Sequence, residues 1–111
     1  MKPIRKNSEI EWLHFNKCHN GVGELLCKSL LDDCGSEKFL FMHCDDIKAG
    51  VSIGVHEHVD TEEIYYLLSG EGTLIYDGVE YEMTPGDVSL CNMNHSHGFI
   101  AKTDCVLVVV G

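Results

Sequence analysis

At 111 residues the chain is long enough for one domain and too short for two, and a domain of this size needs no disulfide to stay folded. Eight basic against eighteen acidic residues give a net charge of −10, a surface that repels phosphate backbones and anionic lipid, so neither nucleic acid nor a membrane is expected as a partner. The 44% apolar content is that of an ordinary globular protein.

The start, Met1-Lys2-Pro3-Ile4-Arg5-Lys6, is basic, but no apolar run follows it. No export signal and no membrane span are therefore expected, and the cysteines at 18, 27, 34, 44, 91 and 105 are read as reduced, in a cytoplasmic chain. There is no Cys-x-x-Cys pair. Cys44 and Cys105 sit in apolar runs and read as small core residues. Cys18-His19 is a soft donor pair in a weakly patterned segment.

Residues 1–20 carry little pattern; Glu9-Ile10-Glu11-Trp12-Leu13-His14-Phe15 fits either a short helical turn or a strand. Gly21-Val22-Gly23 punctuates the chain before the apolar Leu25-Leu26, and Leu30-Leu31-Asp32-Asp33-Cys34-Gly35-Ser36 reads as a polar turn. Residues 1–38 are expected to be an irregular segment packing on the main body or on a partner subunit.

Short apolar or alternating runs then follow closely, at 39–44, 51–58, 64–68, 73–76, 79–83, 88–91, 97–101 and 106–110. Each has strand length and is bounded by Gly, Asp, Asn or Pro. Asp77-Gly78 supplies the positive φ angles of a two-residue hairpin, and Pro85-Gly86-Asp87 marks another reversal. Eight strands with almost no helix predict a single all-β barrel or jelly roll over residues 39–111.

Strict alternation along 51–58 puts Ser52, Gly54, His56 and His58 on one face and Val51, Ile53 and Val55 on the other. Aliphatics hidden away from the histidine face need cover from the N-terminal segment or from a second subunit, so a homodimer is expected.

His56-x-His58 closes that strand, with two imidazoles projecting from one face about 6–7 Å apart. The reversal through Val59-Asp60-Thr61-Glu62 brings in Glu63, and His95-Ser96-His97 offers a second His-x-His pair. Three imidazoles and a carboxylate suit iron, manganese, nickel, copper or zinc rather than calcium or magnesium.

These residues resemble the first motif of the cupins, G-x5-H-x-H-x3–4-E-x6-G, here Gly50, His56, His58, Glu63 and Gly70 with every defined position matched. The continuation Glu63-Ile64-Tyr65-Tyr66-Leu67-Leu68-Ser69-Gly70 is also similar to the family's. The second motif, G-x5-P-x-G-x2-H-x3-N, is met at Gly86 and His97, with Asn92, Asn94 and Ala101 at its proline, glycine and asparagine positions. The resemblance implies a small single-domain cupin barrel holding one divalent transition-metal ion on His56, His58, Glu63 and His97. The motif counts favour Glu63 over Glu62 and His97 over His95, which is left as a rim residue.

Cupins use such a site for oxygenation, decarboxylation, isomerisation, lyase chemistry and ligand sensing, so fold alone does not pick the reaction. After residue 38 the only cations are Lys48 and Lys102, neither placed to hold a polyanion. A metalloenzyme acting on a small uncharged or monoanionic molecule such as a sugar, phenol or keto acid is therefore expected, with a non-catalytic ligand-binding module as the alternative. Tyr65 is the candidate proton donor, and Leu67, Phe99 and Phe41 or Met42 are expected to line the pocket.

Overall fold

In a computed structural model, which describes residues 3–31 and 35–111, the turn-bounded runs become strands that all pair antiparallel. Part of the turn read at residues 30–36, Cys34 included, lies outside the described residues. The strands are β1 (Leu13–Asn16), β2 (Glu24–Ser29), β3 (Met42–Ile47), β4 (Ser52–His58), β5 (Glu63–Ser69), β6 (Gly72–Tyr76), β7 (Val79–Met83), β8 (Val88–Cys91), β9 (His95–Ala101) and β10 (Cys105–Val110). A six-stranded sheet runs β1-β2-β3-β10-β5-β8, and a four-stranded sheet runs β4-β9-β6-β7. Among the described residues no helix is long and apolar enough to cross a membrane.

Alternation explains the core. Leu107 and Val109 of β10 and Tyr65 and Leu67 of β5 point inward, where they meet Ile53, Leu74 and Phe99 of the smaller sheet. Burying each such side chain stabilises the fold by about 1.5–3 kcal/mol. Asp77 (φ 49°) and Gly78 (φ 79°) both adopt the left-handed region, as the β6–β7 hairpin requires.

The weakly patterned N-terminal part forms a short turn at Asn7–Glu9 and then β1 and β2, which extend the larger sheet past β3. Between β1 and β2 the turn Cys18–Asn20 lies against β4. There Val22 N–H donates to Ser52 Oγ at 2.8 Å, and Ser52 N–H donates to the Val22 carbonyl at 2.9 Å. The approach is so close that a Cβ on Gly54 would sit 1.9 Å from the His19 carbonyl oxygen.

Strict alternation fails along β4. Ile53 pairs with Phe99 and His56 with His97, so Gly54-Val55 together oppose Gly98 in a β-bulge. The extra residue turns Ile53 to the same inward face as His56, and Ile53 joins the protein's own core. Val55 is left half exposed. The aliphatic face that was expected to demand a partner subunit therefore does not exist.

Two smaller expectations also change. Phe39 and Leu40 are exposed and precede β3, which begins at Met42. Cys105 is buried in the core, but Cys44 is only partly covered because its position on β3 alternates with the inward-facing His43 and Asp45.

Candidate metal centre

β4, β5 and β9 bring His56, His58, Glu63 and His97 together, with one donor atom from each inside a sphere where all lie within 4.8 Å of one another. Glu63 Oε1 is 3.0 Å from His97 Nε2 and 3.8 Å from His56 Nε2, and Oε2 is 3.6 Å from His58 Nε2. The His58 and His97 Nε2 atoms are 3.0 Å apart. Three Nε2 atoms and one carboxylate thus converge on one point.

Neighbouring groups hold these rings. His56 Nδ1 donates to the Gly54 carbonyl at 2.8 Å, and His58 Nδ1 lies 3.0 Å from Thr61 Oγ1. An imidazole that donates through Nδ1 keeps its lone pair on Nε2, the form in which histidine ligates metals. His56 Nε2 is buried without a hydrogen-bond partner among the described residues, an uncompensated acceptor that a cation would satisfy. The residues fit a metal ion.

Electrostatics agree with convergence. Burial raises the Glu63 pKa, but the facing imidazoles of His56, His97 and His58 outweigh it and hold the carboxyl well below its usual range. Burial lowers the His56 pKa, yet Glu63 and the Gly54 carbonyl leave it raised overall. His58 is lowered, chiefly by burial.

The rival positions lie elsewhere. Glu62 accepts a hydrogen bond from Asn92 Nδ2 at 2.8 Å on the surface. His95 pairs with Asp77 at 2.5 Å and stacks on Tyr76.

Beside the cluster is a cavity of about 70 Å³ lined by Cys18, His19, His43, Asp45, Tyr65 and Val109, together with the inner sides of Ile53, His56 and Glu63. Tyr65 is fully buried, its ring stacked on His97 with centroids 4.1 Å apart. Among the described residues its hydroxyl has no hydrogen-bond partner, and burial, helped by Glu63, pushes its pKa well above the ordinary value. Leu67 and Phe99, expected in the lining, belong instead to the core, and neither Phe41 nor Met42 lines the cavity. Lys48 and Lys102 pair with acidic residues on the surface.

His19, His43 and Asp45 were missed as lining residues. For His43 and Asp45 the signal was present, since a His-x-Asp spacing places both on one face of a strand. His19 gave none. It arrives through a long-range contact, stacking on His56 with centroids 3.7 Å apart.

This arrangement defines an antiparallel β-barrel with a three-histidine, one-carboxylate cluster. The chain matches the family model described as Cupin domain over residues 45–111, and it belongs to that family. It is 30% identical over 95 residues, 85% of its length and 78% of the relative's, to an oxalate-binding protein of Thermotoga maritima. A crystal structure of a predicted oxalate decarboxylase from Thermotoga maritima is 28% identical, with a TM-score of 0.91 and 96% of each chain covered. An RmlC-like cupin from Shewanella frigidimarina has a TM-score of 0.81 at 19% identity, covering 99% of this chain and 89% of the other, a likeness of fold.

Proposed function

We propose that His56, His58, Glu63 and His97 hold one divalent transition-metal ion, and that the protein takes a small carboxylate as a further ligand of that ion. The observation that carries this reading is the cavity of about 70 Å³ against the cluster. A cavity this small favours a compact ligand of few heavy atoms. Sugars, expected from the sequence as one option, are less favoured on this reading.

A bound ion supplies a Lewis-acid centre with coordination positions open to ligand oxygens. Three neutral imidazoles and one carboxylate leave one positive charge on a divalent ion, and among the described residues the cavity lining adds no Lys or Arg but does add the Asp45 carboxylate. The carboxylate named for the Thermotoga maritima relative supports this ligand class over phenols.

Tyr65 stays protonated at neutral pH and offers its unpartnered hydroxyl to a ligand oxygen. That group supports a catalytic version of the reading, in which Tyr65 donates a proton to the bound acid.

Assembly is read from a different face than the sequence indicated. On the outer side of the larger sheet the register aligns Met42, Val110, Ile64 and Leu90 in one row and Cys44, Val108, Tyr66 and Val88 in the next. Two apolar rows across four strands make a self-complementary patch, which supports a homodimer. The five described cysteines are all free, which supports a reducing, cytoplasmic setting.

The reading is tested by metal analysis followed by calorimetry of the metal-loaded protein with oxalate, pyruvate and glucose. Near-stoichiometric metal and binding of an acid but not of glucose are expected. Failure to retain any transition metal after reconstitution, or binding of glucose alone, overturns it. Loss of the added acid over time, abolished by Tyr65→Phe, would establish catalysis.

A further inference from the structure

The Cys18-His19 pair and the histidine of β3 have no place in the cluster just described, yet the fold gathers them on the opposite wall of the cavity. Cys27 of β2 is the register partner of Asp45 of β3, so the two side chains share the inward face. His43, two residues before Asp45, shares that face too, and its Nδ1 lies 2.7 Å from Asp45 Oδ1. One donor atom from each of Cys27, His43 and Asp45 lies within 4.8 Å of the others.

Asp45 is only 2% exposed. A carboxylate buried this deeply calls for a cation, and its nearest partners here are a thiol and an imidazole. A second cavity, of about 320 Å³, gives access to the group from outside and is lined by Cys18, His19, Cys27, His43 and Asp45 among others.

We propose that Cys27, His43 and Asp45 form a second metal site, one that takes zinc through a thiolate, with the fourth coordination position turned toward the cavity that Cys18 lines. Sulfur, nitrogen and oxygen donors in one tetrahedral set are zinc chemistry, whereas the first cluster contains no sulfur. Binding is a proton exchange: the Cys27 S–H bond breaks, its proton leaves to solvent, and the electron pair left on sulfur forms the bond to the ion. No redox change is involved. Without the ion, burial and the adjacent Asp45 keep the Cys27 thiol protonated. Zinc uptake at this site therefore strengthens as pH rises. His43 and Asp45 also line the smaller cavity, so the two ions would flank one chamber.

Cobalt(II) titration of the metal-free, reduced protein tests the site, because a thiolate ligand gives a charge-transfer band in the near ultraviolet and the first cluster cannot. Two equivalents are expected, one with that band, and zinc should displace the band. Cys27→Ser, nearly isosteric, is expected to lose the band and one equivalent while keeping the other. His56→Ala is expected to weaken the band-free equivalent and leave the band intact, so failure of the first site and failure of the second are told apart. Should Cys27→Ser not fold, His43→Ala, whose ring is partly exposed, is expected to weaken the banded equivalent by at least about tenfold. Absence of the band from the parent protein, or a band unchanged in Cys27→Ser or His43→Ala, overturns the proposal.

Discussion

The Nε2 atoms of His58 and His97 face each other at 3.0 Å, while His58 is turned so that its Nδ1 meets Thr61 Oγ1. Two ring nitrogens this close cannot both present lone pairs to an empty space without repulsion. A proton or a metal ion between them removes the conflict. The metal-free protein is therefore expected to be less stable than the loaded one. At free metal a thousandfold above Kd, binding contributes about 4 kcal/mol. Thermal melts with and without a chelator read this directly, and an unchanged Tm in protein shown to lose its metal would contradict it.

The Thr61 hydroxyl meets the His58 ring at Nδ1, on the side away from the cluster. Thr61→Ala should release the ring and weaken metal binding by roughly 10–100-fold, the usual cost of losing such a partner. His97→Ala, which removes a donor itself, should cost more. Competition with a chromophoric chelator ranks the three proteins, and equal affinity of Thr61→Ala and parent would show that the hydroxyl does not orient the ring.

Acid should release the ion. The imidazoles bind metal only when neutral, and the His56 pKa stands above its ordinary value of 6.5 in the metal-free cluster. Protons therefore begin to compete above that value, and apparent affinity falls as pH is lowered through it. Equilibrium dialysis across pH 5–8 should show this loss, and a flat profile down to about pH 5 would exclude neutral histidine ligands.

Alkali acts on a different group. Cys91 is fully buried, and burial, with Glu63 nearby, pushes its thiol from 9.0 up to about 11. Below pH 9.0 the thiol is protonated in both folded and unfolded chains, so its contribution is intact. Between there and about 11 the unfolded chain ionises while the folded one does not. Stability is then lost by up to about 1.4 kcal/mol per pH unit. Urea melts of the reduced, metal-free protein should show the decline, with a shallower slope in Cys91→Ala; parallel slopes would rule out this thiol.

The outer rows of the larger sheet make the assembly testable. Tyr66→Lys with Val88→Lys places two charges on register partners at the centre of the patch. Light scattering should give a dimer for the parent and a monomer for the variant, with the metal content of both unchanged. A monomeric parent would remove the proposed interface.

The strands from β5 to β10 were legible because their alternation and their Asp-Gly and Pro-Gly turns are local signals. The four-residue cluster was legible too, because His56, His58 and Glu63 are written in one short stretch across the β4–β5 connection, although the two strands belong to different sheets. What stayed hidden is long-range. β1 and β2 show little alternation of their own, since β1 is exposed along its whole length and is held by pairing with β2. The Cys18–Asn20 turn is fixed by contacts with β4, more than thirty residues away. His43 and Asp45 were visible as a same-face pair, but nothing local says which cavity that face borders.

The bulge at Gly54-Val55 sets the phase of β4. Strict alternation from Ile53 would send His56 outward, so Ile53 and the two imidazoles share the inward face only because the bulge takes up the extra residue between them. Straightening the strand without shortening it would leave every ligand in the sequence and set Ile53 and the histidines on opposite faces. The candidate site therefore depends on where the ladder slips as well as on which residues it carries.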